Sequence, residues 1–147
     1  MGKVVSEILK DVEIPKMFKV KQVFPDEHIA PEIIPGKVRE LLNQEKFSGQ
    51  IKPGMDIAIT CGSREIANIV IITKTIVDFV KGKGAHPFIV AAMGSHGGAT
   101  SEGQREILKA LGLTEKNLGC PIKTDMDVVK IGVDEERVDV FKTHNIW

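Results

Sequence analysis

Two stretches of the chain are apolar enough to form buried strands, and each precedes a loop of small and polar residues. The strands are predicted over residues 57–60 and 87–93, and the second is apolar on both faces, as is typical of a parallel sheet. Helices are predicted over residues 66–81 and 102–111. The order strand–loop–helix–strand–loop–helix predicts an α/β fold: a parallel or mixed sheet covered by helices, Rossmann-like and three-layered.

The flanking segments carry shorter patterns. Residues 17–24 alternate apolar with polar side chains, which predicts a half-buried strand, and residues 36–47 have the spacing of an amphipathic helix. Short strands are predicted over residues 119–122 and 126–140, whereas residues 3–16 fit either a short helix or a strand. The 147 residues contain no repeat, linker or low-complexity tract, so a single domain is expected.

The composition is that of an ordinary soluble protein, with 42% hydrophobic and 27% charged residues. Lys plus Arg number 20 and Asp plus Glu also number 20, which leaves no basic excess for binding nucleic acid or a membrane surface. The longest apolar stretch, residues 66–80, is too short and too polar to span a bilayer. No signal peptide is recognisable, and two cysteines are too few for a disulfide framework, so we expect a cytoplasmic protein.

Two loops that follow the predicted strands carry the candidate chemistry. Residues 61–65 follow the first strand, and residues 94–100 follow the second. Ligands of parallel sheets bind beyond the carboxyl ends of the strands. Both loops are therefore expected at the same edge of the sheet.

The second loop, "GSHGGAT", combines backbone freedom, hydroxyl groups and one imidazole. Glycine lets the main chain approach a ligand closely, and the start of the following helix attracts anions. An imidazole such as that of His96 can act as general acid or base near neutral pH. The other candidate binding residues of this loop are Gly94, Ser95, Gly97, Gly98 and Thr100. A tight turn with an exposed histidine explains these residues equally well, and Ser101 with Gln104 has the capping-box pattern at the helix start.

The first loop contributes an arginine and a cysteine. Arg64 can hold a carboxylate or phosphate through two parallel hydrogen bonds, although a surface salt bridge, for example to Glu65, is the commoner role of a single arginine. Cys61 fits either an activated thiol or a buried structural residue. The pair Asp125 and Asp127 lacks a third ligand at fixed spacing, so no metal site is predicted.

Three motifs in these segments resemble the amino-terminal domain of the nickel-dependent lactate racemase family. They are "GSREIANIV", "HPFIVAAMGSHGGATSEGQREIL" and "LGLTEKNLGCPI", and the resemblance runs from about residue 18 to residue 140. Within the family, the chain resembles a branch whose members mostly have no assigned substrate. "MGSHGGAT" is the specific motif, whereas the arginine loop is less distinctive alone.

The resemblance implies a racemase or epimerase that acts on 2-hydroxy acids with a nickel pincer nucleotide. In this family hydride passes from the substrate carbon to the cofactor while a histidine takes the hydroxyl proton. His96 matches that catalytic histidine, and Arg64 matches the arginine that binds the substrate carboxylate. Ser63 falls on a neighbouring hydroxyl position that contacts substrate or cofactor.

The chain also departs from the family pattern. Cys61 and Ser63 replace an aspartate and a threonine, and Gly97 stands where characterised racemases carry arginine, which argues against lactate as substrate. The lysine that tethers the cofactor, a second acid–base histidine and the nickel-binding histidine belong to a second domain that this chain lacks. We therefore expect an N-terminal part that is inactive alone, binds no cofactor alone, and associates with further copies or with the missing domain. The alternative is a free-standing binding module for a small carboxylate or a nucleotide phosphate.

Overall fold

A computed structural model describes residues 2–13, 16–25, 28–64 and 66–143. Three strands form a parallel sheet in the order β1-β2-β3: Asp56–Cys61, His86–Ala91 and Ile122–Lys123. Two further strands, β4 (Val128–Val133) and β5 (Asp139–Thr143), form a separate antiparallel hairpin. The predicted α/β class with a parallel sheet is confirmed, and the hairpin is not part of that sheet.

Six helices accompany the strands in the part of the chain that the structure describes. They are α1 (Gly2–Ile8), α2 (Ile34–Leu42), α3 (Glu45–Ser48), α4 (Ile69–Gly82), α5 (Ser101–Ala110) and α6 (Glu115–Leu118). Helix α4 connects β1 to β2, and α5 and α6 connect β2 to β3, as parallel pairing requires. Helix α2 packs against α4. No helix in the described ranges combines the length and apolar character needed to cross a membrane.

One apolar core joins the parallel sheet to α4, α5 and α6. Ile89 at the centre of β2 is fully buried, as are Val77 of α4 and Leu108 of α5. The strand residues of this core are alternate positions, so they share one face of the sheet. Burial of side chains of this size is worth roughly 1.5–3 kcal/mol each. The core therefore fixes the strand ends from which the two loops leave.

Two helix starts differ from the predicted ones. The helix predicted from residue 66 begins at Ile69, because Asn68 takes a left-handed conformation with φ 62° and interrupts the helical turn. The predicted cap at Ser101 is wrong: Thr100 is the N-cap, and its Oγ1 accepts a hydrogen bond from Gly103 N at 3.1 Å. Ser101 is instead the first helical residue, and Gln104 turns back to the preceding loop.

The predicted strand over residues 17–24 is wrong as well. This segment is extended but belongs to neither sheet, and its apolar side chains are exposed. The single helix predicted over residues 36–47 is two helices, α2 and α3, separated at Asn43 and Gln44. The segment predicted over residues 3–16 begins as helix α1, and its residues 14 and 15 lie outside the described ranges.

Candidate functional site

The two loops leave the sheet side by side, as predicted. Cys61 ends β1 and is in register with Ala91, which ends β2. One residue further, Ala92 N donates a 2.8 Å hydrogen bond to the carbonyl of Cys61. The prediction that both loops lie at the carboxyl edge of the sheet is confirmed, because this bond carries the strand pairing up to the loops themselves.

A direct hydrogen bond links the loops. Ser63 Oγ bonds to Nδ1 of His96, although 33 residues separate them in sequence. Ser63 is half-buried and His96 is exposed. The serine hydroxyl can accept from Nδ1–H or donate to Nδ1, and its choice sets which ring nitrogen carries the proton. When Nδ1 carries the proton, Nε2 is a free base.

The turn that carries His96 is built from left-handed residues. Gly94, Gly97 and Gly98 have φ of 56°, 67° and 68°, and Ala99 has φ 54°. A Cβ at Gly97 would lie 2.4–2.7 Å from the main chain of α5 at residues 103 and 104. A side chain at position 97 is therefore excluded in this arrangement by both conformation and packing. At the corresponding position the characterised lactate racemases, which these loops resemble, carry arginine.

Two polar side chains of the α5 start hold the turn in place. Thr100 Oγ1 donates to the carbonyl of Gly97 at 2.9 Å while it accepts from Gly103 N. Gln104 is 2% exposed, and its Nε2 donates to the carbonyl of Gly94 at 2.8 Å. The hydroxyl of Thr100, a predicted ligand contact, is thus engaged within the loop. Gln104 was missed as an anchor because its spacing from Ser101 suggested a capping role.

Arg64 and Ser95 face solvent at the same edge as the exposed His96. Both are exposed, and Arg64 forms no ion pair with another described residue. The alternative partner named for it, Glu65, lies outside the described residues. Together with His96 these groups offer a guanidinium, a hydroxyl and an imidazole at one sheet edge. That combination can hold a small anion and move a proton.

Cys61 is a core residue rather than an activated thiol. Its side chain is buried, and burial raises the pKa of the thiol above its ordinary value, with a smaller opposing effect from a hydrogen bond to Thr73. A raised pKa disfavours the thiolate, which is the reactive form. Cys120 is also buried, and burial raises its pKa too, with the charge of Lys81 acting in the opposite direction.

The remaining candidates lie at the other edge, form local turn structure or fall outside the described residues. His86 begins β2 at the other end of the strand, and Asp127 N donates to Asp125 Oδ1 at 2.9 Å, as in an ordinary turn. His144 lies outside the described residues. Within the described ranges no three His, Cys, Asp or Glu side chains group together in a way that would hold a metal ion.

A cleft of about 200 Å³ adjoins the histidine loop. It is lined by Ala91, Met93 and Gly94 on the strand side, by Gln104 of α5, and by Asp125 and Met126 opposite. A larger cavity of about 370 Å³ lies at the opposite edge, near His86 and Lys81, away from both loops. We consider the smaller cleft the relevant one, because it lies at the start of the loop that carries His96.

Comparison with family models finds no match, and no curated protein and no solved structure is significantly similar to the chain. The chemistry of this edge must therefore be argued from Ser63, Arg64 and His96 themselves and from the resemblance of their loops.

Proposed function

We propose that the chain supplies the N-terminal part of a racemase or epimerase site for 2-hydroxy acids, of the lactate racemase type. The observation that carries the proposal is the hydrogen bond between Ser63 and His96 beside the exposed Arg64. The resemblance assigned these three residues to substrate binding and proton transfer. Their side chains come from two loops at the same sheet edge.

Arg64 binds the substrate carboxylate in this proposal. A guanidinium forms two parallel hydrogen bonds to a carboxylate, which fixes the orientation of the acid as well as its position. In a 2-hydroxy acid the hydroxyl stands on the carbon next to the carboxylate. Anchoring the carboxylate at Arg64 therefore presents the hydroxyl to the neighbouring loop, where His96 lies.

His96 accepts the hydroxyl proton through Nε2, and Ser63 is a positioning residue. With Nδ1–H donating to Ser63 Oγ, Nε2 keeps its lone pair and points the base away from the serine. Proton transfer then forms an imidazolium that the same serine oxygen stabilises. General base catalysis of this kind contributes typically 10²–10⁴-fold to a rate.

This proposal assigns the nickel pincer nucleotide to a second domain. The resemblance implies that the tethering lysine and the nickel-binding histidine belong to that domain. We therefore derive no step through the cofactor. The three-layered, Rossmann-like arrangement, the cytoplasmic location and the inactivity of this chain alone belong to the same proposal.

The second candidate is a binding module without catalysis. It is favoured by the exposure of Arg64 and Ser95, which leaves them open to any small carboxylate or nucleotide phosphate. Under this hypothesis His96 adds only a hydrogen bond. The two candidates differ in what removal of the imidazole does, since binding needs Arg64 and turnover needs His96.

The test combines the chain with the cofactor-loaded second domain of a lactate racemase and follows a panel of 2-hydroxy acids by chiral chromatography. We expect one acid to be racemised or epimerised, and His96→Asn to abolish that turnover. Ser63→Ala should lower kcat more than it changes KM. His86→Asn, an exposed histidine at the opposite edge, is the matched control and should behave as the original chain.

Turnover that survives in His96→Asn would remove this residue from the mechanism. If no acid is turned over yet carboxylates bind, and Arg64→Ala weakens binding by about 1.5–3 kcal/mol, the binding module is the better description. Absence of both would overturn both candidates.

A further inference from the structure

Residues 16–25 form an extended segment whose apolar side chains are exposed. Phe18 is 84% exposed and Phe24 is 70% exposed. Phe18, Val20 and Phe24 fall on one side of the alternating pattern. No backbone hydrogen bond joins this segment to the other residues that the structure describes. It has the side-chain pattern of a strand and no neighbouring strand.

The β4–β5 hairpin is the complementary case: a sheet that lacks a further strand. Among the described residues it consists of two strands, so each strand has an edge without a described neighbour. The register places Val128, Val133 and Phe141 on one face, and all three are exposed, Phe141 by 52%. Two-stranded hairpins are marginally stable in water, and a third strand with a shared apolar face is the usual remedy.

We propose that residues 17–24 of one copy add as a third strand to the β4–β5 hairpin of a second copy, with the reciprocal addition closing a twofold dimer. The apolar side of the segment, Phe18, Val20 and Phe24, then extends the apolar face that Phe141 marks on the hairpin. Main-chain hydrogen bonds to an open strand edge supply the affinity, as in strand addition generally.

A second copy of this chain is favoured over other partners for the hairpin edge, because each copy supplies what the other lacks. Each copy brings one strand without a sheet and one sheet with open edges, so an isologous exchange covers both features in both copies at once. The charges also match, since residues 16–25 carry three lysines and no acid, while the hairpin turn carries acids at three consecutive positions, residues 134–136.

The edge that accepts the new strand is β5. The register between β4 and β5 shifts between Lys130 and Gly132, which marks a bulge on β4. Bulges twist a strand and blunt its edge against pairing. β5 carries no such bulge and so presents the more regular row of backbone groups.

The strand addition removes apolar surface from water in both copies. Burying a phenylalanine side chain removes about 150–250 Å² from water. Phe18 and Phe24 of each copy would lie beside the apolar side chains of the neighbouring strand, which removes part of this area from water in both copies. An interface of roughly 1,200–2,000 Å² is the size of stable complexes.

The first test measures the mass of the full chain by sedimentation or light scattering over a range of concentrations. We expect a dimer that the double variant Phe18→Asp, Val20→Asp converts to a monomer, with unchanged far-ultraviolet circular dichroism. The matched control is Val4→Asp, Ile8→Asp, which places the same charges on exposed apolar positions of α1. The control should remain dimeric. A monomeric original chain, or a dimer that survives the segment variant, would overturn the proposal.

The second test is amide hydrogen exchange of residues 17–24 at high and low protein concentration. If strands are added between copies, these amides and those of the β5 edge should be protected from hydrogen exchange in the dimer. Both sets should lose their protection on dilution. Protection that does not depend on concentration would mean that the segment closes on its own hairpin. That result, or the absence of protection in a dimer, would also overturn the proposed strand addition between copies.

Discussion

The two sheets of this molecule both carry apolar side chains, but these are buried in one sheet and exposed in the other. In the parallel sheet Ile89 of β2 is 0% exposed, because α4, α5 and α6 pack against it. In the β4–β5 hairpin Phe141 is 52% exposed, and Ile131 and Val133 are exposed as well. An apolar side chain stabilises a fold only where another element covers it. The first sheet thus supports the site, whereas the apolar side chains of the second stay exposed in the part of the chain that the structure describes.

The largest contrast is expected from truncating one buried and one exposed apolar side chain. Leu108→Ala removes a fully buried side chain of α5 from the core and should lower the free energy of unfolding by roughly 2–5 kcal/mol. Phe141→Ala, measured at a concentration where the chain is monomeric, should change it by less than about 0.5 kcal/mol. Urea titrations give both values. Equal losses would mean that the hairpin is covered within one chain.

Glycine substitutions in the histidine loop should separate the cost of backbone strain from the cost of a steric clash. Gly97 and Gly98 share nearly the same left-handed φ, but only Gly97 has main chain within contact of a Cβ. Gly98→Ala should cost about 1–2 kcal/mol from conformation alone. Gly97→Ala should cost more, because the loop must also move away from α5. Thermal unfolding measures both, and a cost at position 98 as large as at position 97 would contradict the packing described here.

The helix cap at Thr100 should matter more for stability than the hydroxyl of Ser95 in the same loop. Thr100→Ala removes the hydrogen bond that the side chain accepts from Gly103 N and the one that it donates to the carbonyl of Gly97, and should cost about 1 kcal/mol. Ser95→Ala is the control, since Ser95 is exposed and does not cap α5. Its unfolding free energy should stay within about 0.5 kcal/mol of the original. If both changes cost the same, the cap has been misplaced.

The smallest effect concerns the pH dependence that the buried Cys61 adds. Because burial raises the pKa of its thiol in the folded state, the folded chain holds this proton to higher pH than the unfolded chain does. The contribution to stability is complete below the unfolded pKa and is lost as pH rises from there toward the raised folded value. Cys61→Ala should flatten that alkaline decline in unfolding curves. An unchanged slope would show that Cys61 titrates normally.

The sequence predicted those strands and helices whose own hydrophobic pattern shows that they are buried. Continuous apolar runs identified β1 and β2, and strand order placed both loops at one edge. The alternation of residues 17–24 was misleading, because it shows that one side of a strand could be buried but not that a neighbour is present. The bond from Ser63 to His96 was beyond prediction, since it depends on two side-chain rotamers across 33 residues. Gln104 was misassigned because one spacing serves both a capping box and a tertiary anchor.

The most direct test of the proposed site is nuclear magnetic resonance of the His96 imidazole during titration with a 2-hydroxy acid such as glycolate. We expect the Nε2 signal of His96 to move on binding, with little change at His86, and Arg64→Ala to remove the effect. Acetate, which lacks the hydroxyl, should bind at Arg64 yet move His96 less. A His96 signal that ignores every hydroxy acid, or that responds equally to acetate, would contradict the account.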